Sequence, residues 1–219
     1  MIEGINNQKQ FTHFNTGAVR DIQEDKGRCD LAPLSVEGLI LNHWKFFTDK
    51  VIVDTNSSYF HTILYNISHY QWTGNLDSLL NAICYFVSTN ASWNNPNNIE
   101  NKNIKWNTDT PICLALLDVS KHYKEGSQKY GERNWEKGIP LHSFIDSAVR
   151  HLLKYMAGFV DERHDRAFIW NLMGAIYTHK YGDNKELLDI PFYNDALHNK
   201  LKPKNHKEEN NNECKKENW

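Results

Sequence analysis

Between Pro111 and Lys180 apolar residues recur at helical spacing in three runs, separated by two short polar connections that carry glycine. In the first run Ile112, Leu116, Val119 and Tyr123 follow one side. Asp109 or Thr110 can cap it, and Pro111 takes the first helical position, where a missing N–H costs nothing. Gly131 breaks the helix and the pattern restarts after Pro140, so KYGERNWEKGIP (129–140) is read as a connection. The second run, 141–158, is strongly periodic: Leu141, Phe144, Ile145, Ala148, Val149, Leu152 and Met156 face inward, and Gly158 suits the C-terminal cap. The third, 161–180, has Asp161 as its expected N-cap, with Glu162 and Asp165 in the first turns, where the helix dipole favours anions.

The same period predicts helices over 36–47, 57–70 and 76–88. Leu39, Ile40, His43, Trp44 and Phe47 share one side of the first, and His43 there is read as a satisfied core histidine. TGN at 73–75 forms a turn, with Asn75 as N-cap. These helices are rich in aromatics and poor in paired acids, so their aromatic stripe is assigned to the core. Residues 90–110 form an Asn-rich loop, and 36–108 is read as a helical insertion ending in it. Residues 1–35 show little periodicity. Gly17, Gly27 and Pro33, mixed with Arg20, Lys26 and Arg28, predict an extended arm over the core. After Lys180 a short helix and a packing turn are expected, and the polar stretch 198–219 reads as a disordered tail. The pattern as a whole predicts one all-α domain over 11–197.

Composition narrows the function. The formal net charge of the 219 residues is -2, which provides no overall basic surface for nucleic acid. Cys29, Cys84, Cys113 and Cys214 are far apart and form no CxxC pair, so free thiols are expected rather than a zinc or disulfide framework. MIEGINNQKQ has no apolar core of a signal peptide, and no apolar run approaches the roughly 20 residues that span a bilayer. A cytoplasmic protein without membrane contact is expected.

Candidate chemistry lies on the polar faces of the three runs. Asp118, His122 and Glu125 recur at i, i+4 and i+7, a face able to hold a divalent cation or orient a water, or simply to be solvated. Lys129, Arg133 and Lys137, with Tyr130 and Trp135 between them, suit a polyphosphate and a stacked base. The alternative is a helix connection whose Trp135 plugs the core. Asp146 and Arg150, flanked by His151, form an i,i+4 pair worth about 0.2–0.5 kcal/mol as an isolated feature. Asn171 sits within an apolar run and needs a partner. Seven residues after His164, it shares that residue's face and is expected to look into the same polar centre.

FNTGAVRD (14–21), GRCDLAPL (27–34), HYKEGSQKYGERNWEKG (122–138), DSAVRH (146–151) and DERHDRAFIWNL (161–172), taken in order, carry a resemblance. The chain resembles the phage-associated family named for dATP/dGTP diphosphohydrolase (its N-terminal domain), related to the MazG-like all-helical nucleotide pyrophosphatases. The resemblance implies a MazG-like helical bundle that hydrolyses a deoxynucleoside triphosphate to its monophosphate and pyrophosphate with Mg2+ or Mn2+. It also implies a dimer or tetramer, in the host cytoplasm if the chain is phage-encoded. Glu125, Asp146, Glu162 and Asp165, with His164, are the implied metal ligands. Glu125, Asp146, Glu162, His122 and His151 are the implied catalytic groups. Arg20, Lys129, Tyr130, Arg133, Asn134, Trp135, Lys137 and Asn171 are the implied substrate contacts. The chain departs from the strict MazG-like pattern at Lys124, so only Glu125 remains of an acid pair, and the ExxD spacing survives as Glu162 to Asp165. That departure favours an alternative, a non-catalytic phage protein that binds nucleotides or sequesters a nucleotide signal. A third reading is a helical interaction protein with no small ligand.

Overall fold

The computed structural model describes residues 11–13, 15–16, 18–21, 26–50, 59–94 and 106–190. Among the described residues a two-stranded antiparallel ribbon, β1 (Phe11–His13) and β2 (Val19–Asp21), precedes seven α-helices. These are α1 (Leu34–Lys50), α2 (Tyr59–Thr73), α3 (Leu76–Thr89), α4 (Ala91–Asn94), α5 (Thr110–Tyr130), α6 (Leu141–Met156) and α7 (His164–Tyr181). Arg20 lies in β2 opposite Thr12. The expected tail at 198–219, Cys214 and most of the Asn-rich loop lie outside the described residues. Apart from the ribbon, the body is all-α.

Local signals set the helix ends. Asn75 caps α3, its Oδ1 accepting from the Asp77 N–H at 3.0 Å. Pro111 stands in the first turn of α5, and Gly131 ends that helix with φ at 89°. Gly158, with φ at 76°, lets the chain leave α6. There the Phe159 N–H donates to Lys154 O at 3.0 Å and the Gly158 N–H to Tyr155 O at 3.1 Å, the paired bonds of a glycine-terminated helix. Asp161 does not cap α7: Arg163 holds the N-cap position with no side-chain cap bond. The Asp161 carboxylate instead accepts from Lys154 and His164.

Helix α7 is the axis of the fold. Thirteen of its 18 residues are buried, polar ones included, as expected of a helix packed on all sides. Helix α6 lies against it where Phe144 meets Gly174. A Cβ at 174 would fall 2.3 Å from Phe144 Cε1. Phe86 of α3 and Phe168 of α7 lie with ring centroids 4.6 Å apart. The Tyr70 hydroxyl of α2 meets His179 Nδ1 at 2.8 Å. Trp44 of α1 donates its indole N–H to Thr108 O at 3.0 Å. The helices of the segment read as an insertion therefore share one hydrophobic core with α5–α7. His43 is half-buried and satisfied, with Nε2 2.9 Å from Asn81 Oδ1. Cys29, Cys84 and Cys113 are free thiols. Among the described residues no helix is long and apolar enough to cross a membrane.

Residues 26–33 lie on α5, as expected of an arm. The Arg28 N–H donates to Ser120 O at 3.0 Å, and a Cβ at Gly27 would fall 2.6 Å from the Ser120 carbonyl carbon. Arg28 also donates to Glu132 at 3.0 Å, tying the arm to the connection after α5.

The Phe144–Gly174 contact makes a direct prediction. Gly174→Ala forces the ring from its seat and should cost about 1–3 kcal/mol. Gly38→Ala, on an exposed stretch of α1 with no atom within 4 Å of the added Cβ, should add about 0.5–1 kcal/mol. Urea unfolding of both variants checks the contrast.

Candidate functional site

The C-terminal half of α5, the connection 131–139, the middle of α6 and the start of α7 enclose a cavity of about 340 Å3. Leu31 of the arm contributes to the same wall. The polar face predicted on α5 forms and turns toward the start of α7. Asp118, at its upstream end, accepts from Arg163 Nη2 and Arg166 Nη2, each at 2.8 Å. Burial alone would raise the Asp118 carboxyl, but the Arg166 hydrogen bond and the Arg163, Arg166 and Lys121 charges outweigh it and hold it below its usual range. One turn on, His122 lines the cavity, its ring centroid 5.6 Å from that of Trp170 and its Nδ1 3.8 Å from Glu125 Oε2. Burial pushes the His122 imidazole down, against the pull of Glu125 and Glu162. Glu125 is exposed and lies 3.5 Å from Arg166 Nη1. Arg166 Nε is buried with no partner among the described residues.

The two histidines of α6 and α7 meet directly. His151 Nδ1 lies 3.0 Å from His164 Nδ1, and Glu162 Oε1 lies 3.4 Å from both nitrogens. His164 Nε2 donates to Asp161 Oδ1 at 2.8 Å. The Lys154 hydrogen bond first, and then that of His164, bring the Asp161 carboxyl down to about 2. Burial pushes His151 below its ordinary value.

Two of the acids expected as metal ligands are placed elsewhere. Asp146 accepts from Arg150 Nη1 at 2.7 Å and lines a shallow groove with Val149 and Leu153, away from the cavity. Its neighbour Ser147, about 100° further round the helix, faces the cavity instead. Asp165 is 5% exposed in its side chain, and both oxygens accept from Arg163, Nε at 3.0 Å and Nη2 at 2.7 Å. Its Oδ1 also accepts from the Arg166 N–H at 2.9 Å.

The connection supplies the opposite wall. Tyr130, 66% exposed, lines the cavity with Arg133 and Asn134. Arg133 adopts a left-handed conformation, φ 52°, which costs a non-glycine residue about 1 kcal/mol. Its side chain compensates by donating to Asp30 O at 3.1 Å and by pairing with Glu136. The Arg133 guanidinium also lies 5.6 Å from the Trp135 ring centroid. Trp135 is buried, donates to Leu31 O at 3.0 Å and stands edge-on to Tyr177, so the core-plug reading describes most of this side chain. Lys129 and Lys137 are exposed and outside the cavity wall. The Arg20 side chain lies outside the described residues. Asn171 lines the cavity and donates Nδ2–H to Ala167 O at 2.7 Å. That carbonyl can only accept, which fixes the amide orientation. Oδ1 then has no protein donor among the described residues.

Residues 97–186 match the family described as dATP/dGTP diphosphohydrolase, N-terminal. No curated protein and no solved structure matches the chain. The family match spans less than half of the chain, yet it contains every residue of the cavity wall except Leu31. It meets the resemblance carried by HYKEGSQKYGERNWEKG, DSAVRH and DERHDRAFIWNL; the two earlier blocks lie upstream of it.

Sequence reasoning missed Arg163, Arg166 and Asp161. Asp161 had a usable signal, an acid three residues before His164 at the same helix end. The arginines had none, because their common partner Asp118 lies 45 residues or more upstream.

Three histidines set an acid limit on stability. His122, His151 and His179 are all held below their ordinary 6.5 by burial. Below about pH 6.5 the unfolded chain takes up protons that the folded chain does not, so stability falls with pH there. The lowered Asp118 and Asp161 carboxyls add their losses only near and below 3.8. Urea midpoints should decrease from pH 7.5 to 5.5, with a shallower decrease in His122→Gln.

Proposed function

We propose that this cavity binds a deoxynucleoside triphosphate and hydrolyses it to the monophosphate and pyrophosphate. The observation that carries the reading is convergence. Within the family-matched segment, one hollow gathers a cation, an exposed aromatic ring, an open amide acceptor and a half-buried histidine whose imidazole burial pushes down. Its volume of about 340 Å3 lies in the range of small-molecule pockets.

Arg133 is the phosphate donor, because a guanidinium can grip two oxygens at once. Lys129 and Lys137, exposed on either side of it in sequence, add positive potential for an incoming polyanion. The exposed Tyr130 ring takes the base-stacking task that the pattern assigned to Trp135. Asn171 Oδ1 accepts from the sugar or the base edge. Water attacks the α-phosphorus, the bond to the bridging oxygen breaks, and pyrophosphate leaves. His122 takes the water proton, and Glu125 beside it stabilises the imidazolium that results.

Mg2+ or Mn2+ is what the resemblance implies for this reaction. The four expected carboxylates do not form an oxygen cage for Mg2+. Asp146 is paired with Arg150 on another face of α6, and Asp165 is committed to Arg163. Glu125 lies against Arg166, and Glu162 stands beside two imidazole nitrogens. A second reading, nucleotide binding without turnover, is favoured by Lys124 and by the commitment of Asp146 and Asp165 to arginines.

Pyrophosphate release from dATP, dGTP, dCTP and dTTP, with Mg2+ or Mn2+ supplied, tests the proposal. Turnover of at least one is expected. His122→Gln should lower kcat about 100-fold or more, Arg133→Ala should raise KM, and Asp146→Ala should leave both unchanged. Calorimetric binding without pyrophosphate selects the second reading, and no binding overturns both.

A further inference from the structure

We propose that His151, Glu162 and His164 form a two-histidine, one-carboxylate site for a single divalent transition-metal ion, with Asp161 as its outer carboxylate. This inference does not rest on nucleotide turnover. It begins from three distances: 3.0 Å between the two Nδ1 atoms and 3.4 Å from each to Glu162 Oε1. An ion with bonds of about 2.1 Å needs neighbouring ligand atoms about 3.0 Å apart in octahedral and about 3.4 Å apart in tetrahedral geometry. The triangle already has those edges. Its three atoms occupy one side of such an ion. Because His151 and Glu162 line the cavity, the remaining positions open toward it.

The hydrogen-bond pattern supports the assignment. An ionised Asp161 can only accept, so the proton of the His164 Nε2···Asp161 bond is on Nε2. With that proton on Nε2, Nδ1 is the nitrogen His164 offers to the triangle, from a side chain that is 1% exposed. A carboxylate behind the far nitrogen is the usual way in which proteins hold a ligating imidazole in its tautomer and orientation. In that tautomer the 3.0 Å contact is a hydrogen bond from His151 Nδ1 to His164 Nδ1, and ion uptake requires only that this proton move to His151 Nε2.

Charge and placement agree. Glu162 and Asp161 bring two negative charges to a divalent ion, the second partly offset by Lys154 at 3.0 Å from Asp161 Oδ2. The cations near the start of α7, Arg163 and Arg166, are already engaged by Asp118 and Asp165. His151 is carried on α6 and His164 on α7, the pair held close by the Phe144–Gly174 contact. Two imidazoles and one carboxylate select ions of the Mn2+, Fe2+, Co2+ and Zn2+ class over Mg2+ or Ca2+, which prefer oxygen throughout.

Co2+ titration of the full chain, first stripped by a chelator, tests the site through its visible d–d absorption. One ion per chain is expected, with no displacement by an equal concentration of Mg2+. Glu162→Gln and His151→Asn, whose side chains are partly exposed, should each weaken binding about 100-fold, and Asp161→Asn about 10-fold or more. Asp146→Asn should leave it unchanged. Unfolding curves of each variant establish that the fold is retained. Absence of stoichiometric Co2+ uptake would overturn the assignment. So would uptake that persists unaltered in folded Glu162→Gln and His151→Asn, since the ion would then reside elsewhere, for example on His206 or Cys214.

Discussion

Phe144 occupies the space that any side chain at position 174 would need, and this contact fixes how closely α6 can approach α7. A packed interior does not deform continuously, so a ring seated in a glycine gap acts as a register mark between two helices. From that register follows the meeting of His151 with His164, about two turns along α6 from Phe144. The remaining helices then close around α7, whose burial on nearly every side leaves no freedom to rotate its polar first turn away from α5.

That first turn concentrates charge at the edge of the core, with Asp165 and Arg166 buried, Asp118 of α5 nearly so and Arg163 half-exposed beside them. Asp118 joins two arginines from α7 across helices, and Asp165 grips one of them again. Burying such groups is expensive unless each finds an opposite charge, and removing one partner costs more than the pair contributes. The carboxylates of the region are thereby divided. Asp118 and Asp165 belong to arginine, Asp146 to Arg150 at the surface, and Asp161 and Glu162 to the histidines. An acid-rich sequence does not by itself say which of these sets binds anything.

Most helices were legible because their causes are local. Pro111, Asn75, Gly131 and Gly158 act within one turn of themselves, and the apolar stripe of α6 names its own buried face. The same stripe contained the correction for Asp146: with Leu141, Phe144, Ile145, Ala148 and Leu152 inward, Asp146 and Arg150 must point elsewhere. The expectation placed there followed a family pattern instead of the helical angle. Asp161 misled differently, because a residue with cap chemistry accepted from the His164 ring and from Lys154. Other features depend on partners far away in the chain. Trp135 reads equally as a stacking platform or a plug until Leu31, 104 residues earlier, is seen to take its indole N–H. The convergence of Asp118 with Arg163 and Arg166 depends on helix packing, to which periodicity is blind.

The arm over α5 has a bearing on where this protein can be divided. Gly27 presses against Ser120, Arg28 reaches Glu132, and Leu31 contributes both a patch of wall and the acceptor for Trp135, all from upstream of the family boundary. A fragment excised at residue 97 would keep its complement of acids, imidazoles and cations but lose one side of the vessel that contains them. The modular unit for expression and transplantation is thus set by hydrogen bonds across the chain, and it begins well before the stretch that the family model matches.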